Sequence, residues 1–125
     1  MGQPATVLIP GFLGLRYVEN TGAAFSILSG KQLLLILVTF IILGAITGLF
    51  IRSIRNGDHI VVRLSYALII AGAIGNFIDR VRYNYVVDFF EFLFINFPIF
   101  NVADMAIVSG VILLAIATLF LDYNL

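Results

Sequence analysis

The sequence predicts an all-α membrane protein: a small transmembrane helical bundle of three spans, with an extended, β-like segment to one side of the bilayer. Three observations predict it. Of the 125 residues, 62% are hydrophobic and only 11% charged, and the mean hydropathy is +1.12. A soluble domain carries about 25% charged residues, because its whole surface must meet water; here lipid must be the solvent for much of the chain. Three stretches are apolar enough to cross a bilayer, which takes about 20 helical residues. Ahead of them, Pro4, Pro10, Gly11 and Gly14 break any continuous helix.

In chain order, residues 1–16 lack the basic start and unbroken apolar run of a cleavable signal peptide. Val7 to Asn20 suits extended structure and turns, with Pro10-Gly11 as the turn signal. Gln32 to Ile51 is the clearest span, with no charge inside it. Arg52 to Arg63 is a short polar connection that holds the single histidine, His59. Ile60 to Ile78 is a weaker span, carrying Arg63 near one end and Asn76 near the other; at about 1.5 Å per residue it still reaches roughly 28 Å. Gly44, Gly48, Gly72 and Gly75 are small enough to let such helices approach closely. Tyr83 to Phe100 holds eight aromatic residues, a density suited to the headgroup boundary. Val102 to Leu121 is the last span, with Asp104 near its start. The length allows one domain, residues 1–125, with spans at about 32–51, 60–78 and 102–121.

Composition also restricts the chemistry. Seven basic and seven acidic residues give zero net charge, which removes the electrostatic footprint of a nucleic-acid binder. Without cysteine there is no disulfide, thiolate nucleophile or Cys-based metal site. One histidine cannot supply a His-x-x-x-His zinc pair, and no serine sits in a Gly-x-Ser-x-Gly setting. Any hydrolytic chemistry must therefore rest on carboxylates: Glu19, Asp58, Asp79, Asp88, Glu91, Asp104 or Asp122.

Three crossings place several polar clusters at one membrane face: Asn20 to Phe25, Gly75 to Arg80, and Asp88 together with Asn101 and Asp104. Ionisable residues at spans are costly and so become functional candidates. Each part also has an ordinary structural reading. Asn101 suits an N-cap with Asp104 at the third helical position. Asp79 with Arg80 suits a structural ion pair, Asp88 an interfacial acid, and Gly22-Ala23-Ala24 close backbone packing. Glu91 has no partner that the sequence identifies. Charge does not orient the spans, since three basic residues in the Arg52–Arg63 connection face four on the other side (Arg16, Lys31, Arg80, Arg82).

The assembled pattern is more specific than its parts. Asn20-Thr-Gly-Ala-Ala-Phe25, Gly75-Asn-x-x-Asp79-Arg80, Val86-Val-Asp88-Phe89 and Phe100-Asn-x-Ala-Asp104 occur in that order. Together they resemble the lipoprotein signal peptidase (signal peptidase II) family, over about Val7 to Leu121. The resemblance implies a membrane aspartyl endopeptidase that cleaves prolipoproteins just before a diacylglyceryl-modified cysteine. It implies Asp88 and Asp104 as the catalytic pair, with Asn20, Gly22, Asn76, Arg80 and Asn101 binding substrate or positioning groups around them. It further implies a multi-pass protein of the bacterial cytoplasmic membrane whose extended segment and active site face outward, with no metal or organic cofactor. Family members carry an additional first span; this sequence begins at Met1-Gly2-Gln3-Pro4, where that span would have finished, so an extra helix or a second copy is the expected completion of the bundle.

Two carboxylates in a low-dielectric setting cannot both ionise readily, so one keeps a proton. The ionised partner then takes a proton from water, which attacks the scissile carbonyl, while the protonated partner donates to the carbonyl oxygen. A helix N-terminus at Asp104 favours its charged form and makes it the candidate base, although a coupled pair can exchange roles. Two rival classes use the same residues: a truncated, non-catalytic membrane scaffold, or a small proton- or cation-translocating subunit. The latter would place its acids at mid-membrane depth on broken helices, whereas these lie at span ends.

Overall fold

The computed structural model describes residues 6–22 and 30–125. They form two compact units, one drawn from Met1–Leu37 and Ile78–Asn101, the other from Val38–Phe77 and Val102–Leu125.

The first unit is organised by an antiparallel sheet in the order β1 (Thr6–Ile9), β2 (Leu13–Asn20), β3 (Val86–Phe92). β1 and β2 are joined by a tight turn in which the Phe12 amide donates to the Ile9 carbonyl at 3.0 Å. Pro10 and Gly11 are its central residues, and Gly11 takes a φ of 70°, which suits a type II turn with proline first and glycine second. The extended reading of Val7–Asn20 is thus realised as two strands. The third strand comes from the aromatic stretch: Val86–Phe92 is β-branched and aromatic throughout except at Asp88 and Glu91. A bridge from Phe90 to Phe100 extends the pairing to the residues just before the last helix. Phe12 stacks on Phe94 at 5.3 Å between ring centres, and Phe92 meets Phe97 and Phe100 at 5.4 and 5.1 Å. Such pairs contribute about 0.5–1.5 kcal/mol each beyond area burial. Val7, Leu8, Ile9, Phe12, Phe94 and Phe97 are exposed in this unit, an apolar surface suited to a lipid boundary.

Among the described residues three helices are long and apolar enough to cross a membrane: α1 (Gln32–Arg55), α2 (Ile60–Tyr83) and α3 (Val102–Phe120). α1 and α2 run past the expected ends at Ile51 and Ile78. Their 24 residues span about 36 Å, more than the hydrocarbon thickness of about 30 Å. An apolar run marks only the part of a helix that lies in hydrocarbon. Backbone hydrogen bonding continues through the next turns, where Arg52 and Arg55, or Arg80 and Arg82, meet the negative end of the helix dipole. α1 stops in a Schellman motif: Gly57 has a φ of 64°, its amide donates to Ile54, and the Asp58 amide donates to Ser53. His59 then caps α2, its Nδ1 accepting the Val61 amide at 3.1 Å.

The core of the second unit is Val62, Tyr66 and Ala117, packed by Ile46, Leu49, Phe50 and Leu114. After α3 the chain turns back at Asp122, with a φ of 54°, and brings the Tyr123 hydroxyl onto that of Tyr66. α2 and α3 touch through glycine: a Cβ added at Gly110 would lie 2.6 Å from the Ser65 carbonyl oxygen, and one at Gly72 would collide with that of Ala103. Most other large apolar side chains of the three helices are exposed, among them Leu33, Phe40, Ile41, Leu64, Val108 and Leu119. That is the surface expected of a chain whose solvent is lipid.

Candidate functional site

The polar residues nominated by the sequence fall into two groups, one in each unit. In the first, Asp88 lies in the middle of β3 and is 3% exposed. The strand register puts Val18 opposite Asp88 and Asn20 opposite Val86, so Asn20 is a diagonal neighbour of Asp88 on the same face of the sheet. Its Nδ2 donates to Asp88 Oδ2 at 3.0 Å. Asn101 approaches from the segment that pairs with β3, and its Nδ2 donates to Asp88 Oδ1 at 2.9 Å and to the Val87 carbonyl at 3.2 Å. Both carboxylate oxygens therefore accept from amides. A buried carboxylate without such bonds would be strongly unfavourable.

The clamp extends outward. Asn20 Oδ1 accepts the Gly22 amide at 2.9 Å, an Asx-turn closure. The Gly22 carbonyl accepts from Arg80 Nη2 at 3.1 Å, and Arg80 is itself buried. Thr21 and Gly30 are joined by a backbone hydrogen bond of 3.1 Å. Ala23, Ala24 and Phe25 of the first motif lie outside the described residues.

In the second unit, Asp104 lies in the first turn of α3 and is half-buried. Its Oδ1 accepts from Nδ2 of Asn76, which is buried on α2, at 3.0 Å. The positive end of the α3 dipole also favours an acid there. The structure thus gathers Asn20, Gly22, Arg80, Asp88 and Asn101 in one group and Asn76 with Asp104 in another. Arg16 and Glu91 form an ion pair at 3.1 Å. The sequence offers Glu91 no partner because these residues are 75 positions apart and meet only through the β2–β3 register. Arg80 Nη2 donates to the Gly22 carbonyl, and Asp79 beside it on α2 is half-buried. Among the described residues no cluster of three or more carboxylates or imidazoles could hold a metal ion.

On β2, a hydrogen bond that the exposed Tyr17 hydroxyl gives to Tyr85 holds its proton and pushes the phenol up to about 12, with Glu19 adding to the effect. Nothing in the spacing of Tyr17 and Tyr85 signals this contact.

The family model described as "Signal peptidase (SPase) II" matches residues 1–120. The chain is 52% identical over 112 residues to the lipoprotein signal peptidase of Latilactobacillus sakei subsp. sakei, a match covering 90% of this chain and 73% of the relative. It is 52% identical to that of Enterococcus faecalis, over 83% of this chain and 63% of the relative. With that of Streptococcus pneumoniae it shares 49% identity, over 93% of this chain and 74% of the relative. Two solved structures of a bacterial membrane enzyme, obtained by the in meso method at 2.3 and 1.9 Å resolution, are 41% identical to it, with TM-scores of 0.84 and 0.81. They are matched over 93% and 94% of this chain and 71% and 76% of their own lengths.

Proposed function

The chain belongs to the signal peptidase II family and is a multi-pass membrane protease that removes signal peptides from prolipoproteins; we propose that it does so as an aspartic peptidase, with Asp88 and Asp104 as its catalytic pair. The observation that carries the assignment is the buried Asp88 carboxylate, with an asparagine amide on each oxygen. Stability alone gives no reason to bury a charge and build a clamp around it, because an apolar residue would cost less. Asp104 is held by a third asparagine in the same manner. The family match runs through both compact units, and we read them as parts of one peptidase domain.

The asparagines act in this reading as positioning residues. Asn20 and Asn101 aim Asp88, Asn76 aims Asp104, and Arg80 anchors the Gly22 turn from which Asn20 projects. One carboxylate removes a proton from water, and the resulting nucleophile attacks the scissile carbonyl carbon. The protonated carboxyl gives its proton to the carbonyl oxygen, forming a neutral tetrahedral intermediate. Collapse of that intermediate breaks the C–N bond: the proton first taken from water passes to the leaving amine, and one hydroxyl proton returns to the carboxylate that had given up its own. Asp79 is kept as a structural residue of α2. The substrate bond precedes a diacylglyceryl-modified cysteine, and the exposed apolar residues about the sheet suit a substrate held at the lipid boundary. We assign the protein to the bacterial cytoplasmic membrane with this site at the outer face, which puts the Arg52–Arg63 connection in the cytoplasm.

The test is cleavage of a synthetic precursor peptide by the protein purified in detergent, with products identified by mass. Cleavage immediately before the lipid-modified cysteine is expected, and its loss in Asp104→Asn. Equal cleavage of the same peptide without the lipid would overturn the substrate assignment. Full turnover by Asp104→Asn would overturn the catalytic pair.

A further inference from the structure

We propose that Ala103 is a positioning residue for the reaction, seated against Gly72 and Gly75 of α2 so that its neighbour Asp104 is delivered to Asn76. The inference rests on the reading of Asp104 as catalytic.

The contact is closer than helix packing ordinarily allows. An ideal Cβ at Gly72 would collide with the Ala103 carbonyl oxygen and lie 2.6 Å from Ile107 Cγ1; at Gly75 it would lie 3.3 Å from the Ala103 Cβ. The carbonyl is main chain and cannot turn aside. The obstacle at Gly75 is a methyl carbon in tight contact. The line of approach is regular on both helices. Ser65, Ile69, Gly72 and Asn76 follow one another at intervals of three or four along α2, as Ala103, Ile107 and Gly110 do along α3, so each set shares one helical face. Gly110 meets Ser65 and Ile69 at one end of this line; Gly72 and Gly75 meet Ala103 at the other. At that same end, Asn76, which follows Gly75 on α2, and Asp104, which follows Ala103 on α3, meet with Nδ2 to Oδ1 at 3.0 Å.

Ala103 therefore fixes the height and rotation of the first turn of α3 against α2. The carboxylate that follows it has little slack, since the hydrogen bond to Asn76 tolerates only a few tenths of an ångström before it weakens. Larger side chains at Gly72, Gly75 or Ala103 would keep the helices but misplace the acid. In well-oriented catalysis, a misplacement of about 1 Å costs on the order of 10²-fold in rate.

The experiment uses the full chain in detergent and compares Gly75→Ala, Gly72→Ala and each of these combined with Ala103→Gly. For each variant, kcat and KM on a lipid-modified precursor are measured per folded molecule, alongside thermal unfolding. Gly75→Ala is expected to lower kcat roughly tenfold with KM nearly unchanged, and Gly72→Ala to lower it by about 10²-fold. Ala103→Gly should restore the Gly75→Ala enzyme to within about threefold of the parent, because it removes the methyl that the new one meets; contacting residues couple in this way. It should not restore Gly72→Ala, whose obstacle is the Ala103 carbonyl. Packing that serves stability alone would lower the unfolding temperature and leave kcat per folded molecule at the parent value, and that result would overturn the proposal. So would failure of Ala103→Gly to rescue Gly75→Ala. If Gly72→Ala does not fold, the Gly75→Ala pair decides. Retained cleavage by Asp104→Asn would instead remove the underlying assignment of that acid.

Discussion

Replacing Asp88 by asparagine tests the site more sharply than the loss of a titrating group alone. In the parent, Asn20 Nδ2 and Asn101 Nδ2 both point donors at the Asp88 carboxylate, one to each oxygen. An amide at position 88 carries one oxygen and one NH2, so one of these donors must face another donor. Neither asparagine can turn over freely. Flipping Asn20 gives up the bond its Oδ1 accepts from the Gly22 amide, and flipping Asn101 gives up the bond its Nδ2 makes to Val87. Whichever side yields, one buried polar group loses its partner, at about 1–3 kcal/mol. Asp104→Asn is different, because the new amide can keep its oxygen toward Asn76 Nδ2. Both variants should abolish cleavage of a lipid-modified precursor, and Asp88→Asn should in addition unfold more easily in detergent, by about 1–3 kcal/mol. Adding Asn20→Asp to Asp88→Asn should recover much of that stability without activity. The carboxylate then at position 20 can accept from the Gly22 amide with one oxygen and from the new side-chain NH2 at position 88 with the other. Asp88→Asn as stable as the parent would refute the two-sided clamp. Turnover by that variant would remove Asp88 from the chemistry.

Tyr123→Phe should destabilise by about 1–3 kcal/mol, because it strips the fully buried Tyr66 of its hydroxyl partner; adding Tyr66→Phe should recover part of the loss in thermal unfolding. Arg16→Ala should cost less than about 1 kcal/mol and leave kcat unchanged, since the Arg16–Glu91 pair is 35% and 21% exposed and solvent screens it; a larger loss would mean the pair holds β2 to β3. Tyr17 is an acid whose folded-state pKa is raised from 10.0 to about 12. Any stability from that shift is complete below pH 10 and is lost as pH rises towards 12. Tyr85→Phe removes the leading cause, so phenolate absorbance should show Tyr17 ionising closer to its ordinary value; an unchanged titration would exclude the contact.

The order of the motifs and the three spans are legible in the residues alone. Span formation depends mainly on the segment itself: a run such as Leu33 to Phe50 must satisfy its own backbone and face lipid wherever the rest of the chain goes. The exclusion of thiol, zinc-pair and nucleophilic-serine chemistry is equally local, since it depends on which side chains exist and in what setting. The glycines of α2 are visible as small residues, but not the partner that each admits. Hydropathy alone ends the first two helices short, at Ile51 and Ile78, because it falls where the chain leaves hydrocarbon while the hydrogen-bond ladder continues.

What the sequence by itself determined was the solvent of this chain, where its apolar spans lie and its pool of candidate acids. Only the tertiary structure decided what each polar group holds. Asn20 and Asp88 are 68 positions apart and meet because one register of β2 on β3 makes them diagonal neighbours; a shift of one residue would turn Asn20 to the opposite face. The strand in the aromatic stretch, the Arg80 anchor on Gly22 and the seat of Ala103 on Gly72 are of the same kind. Hydrophobic burial in lipid is nearly additive along a segment, whereas a hydrogen bond or a close contact exists only between two particular partners, and the fold alone brings them together.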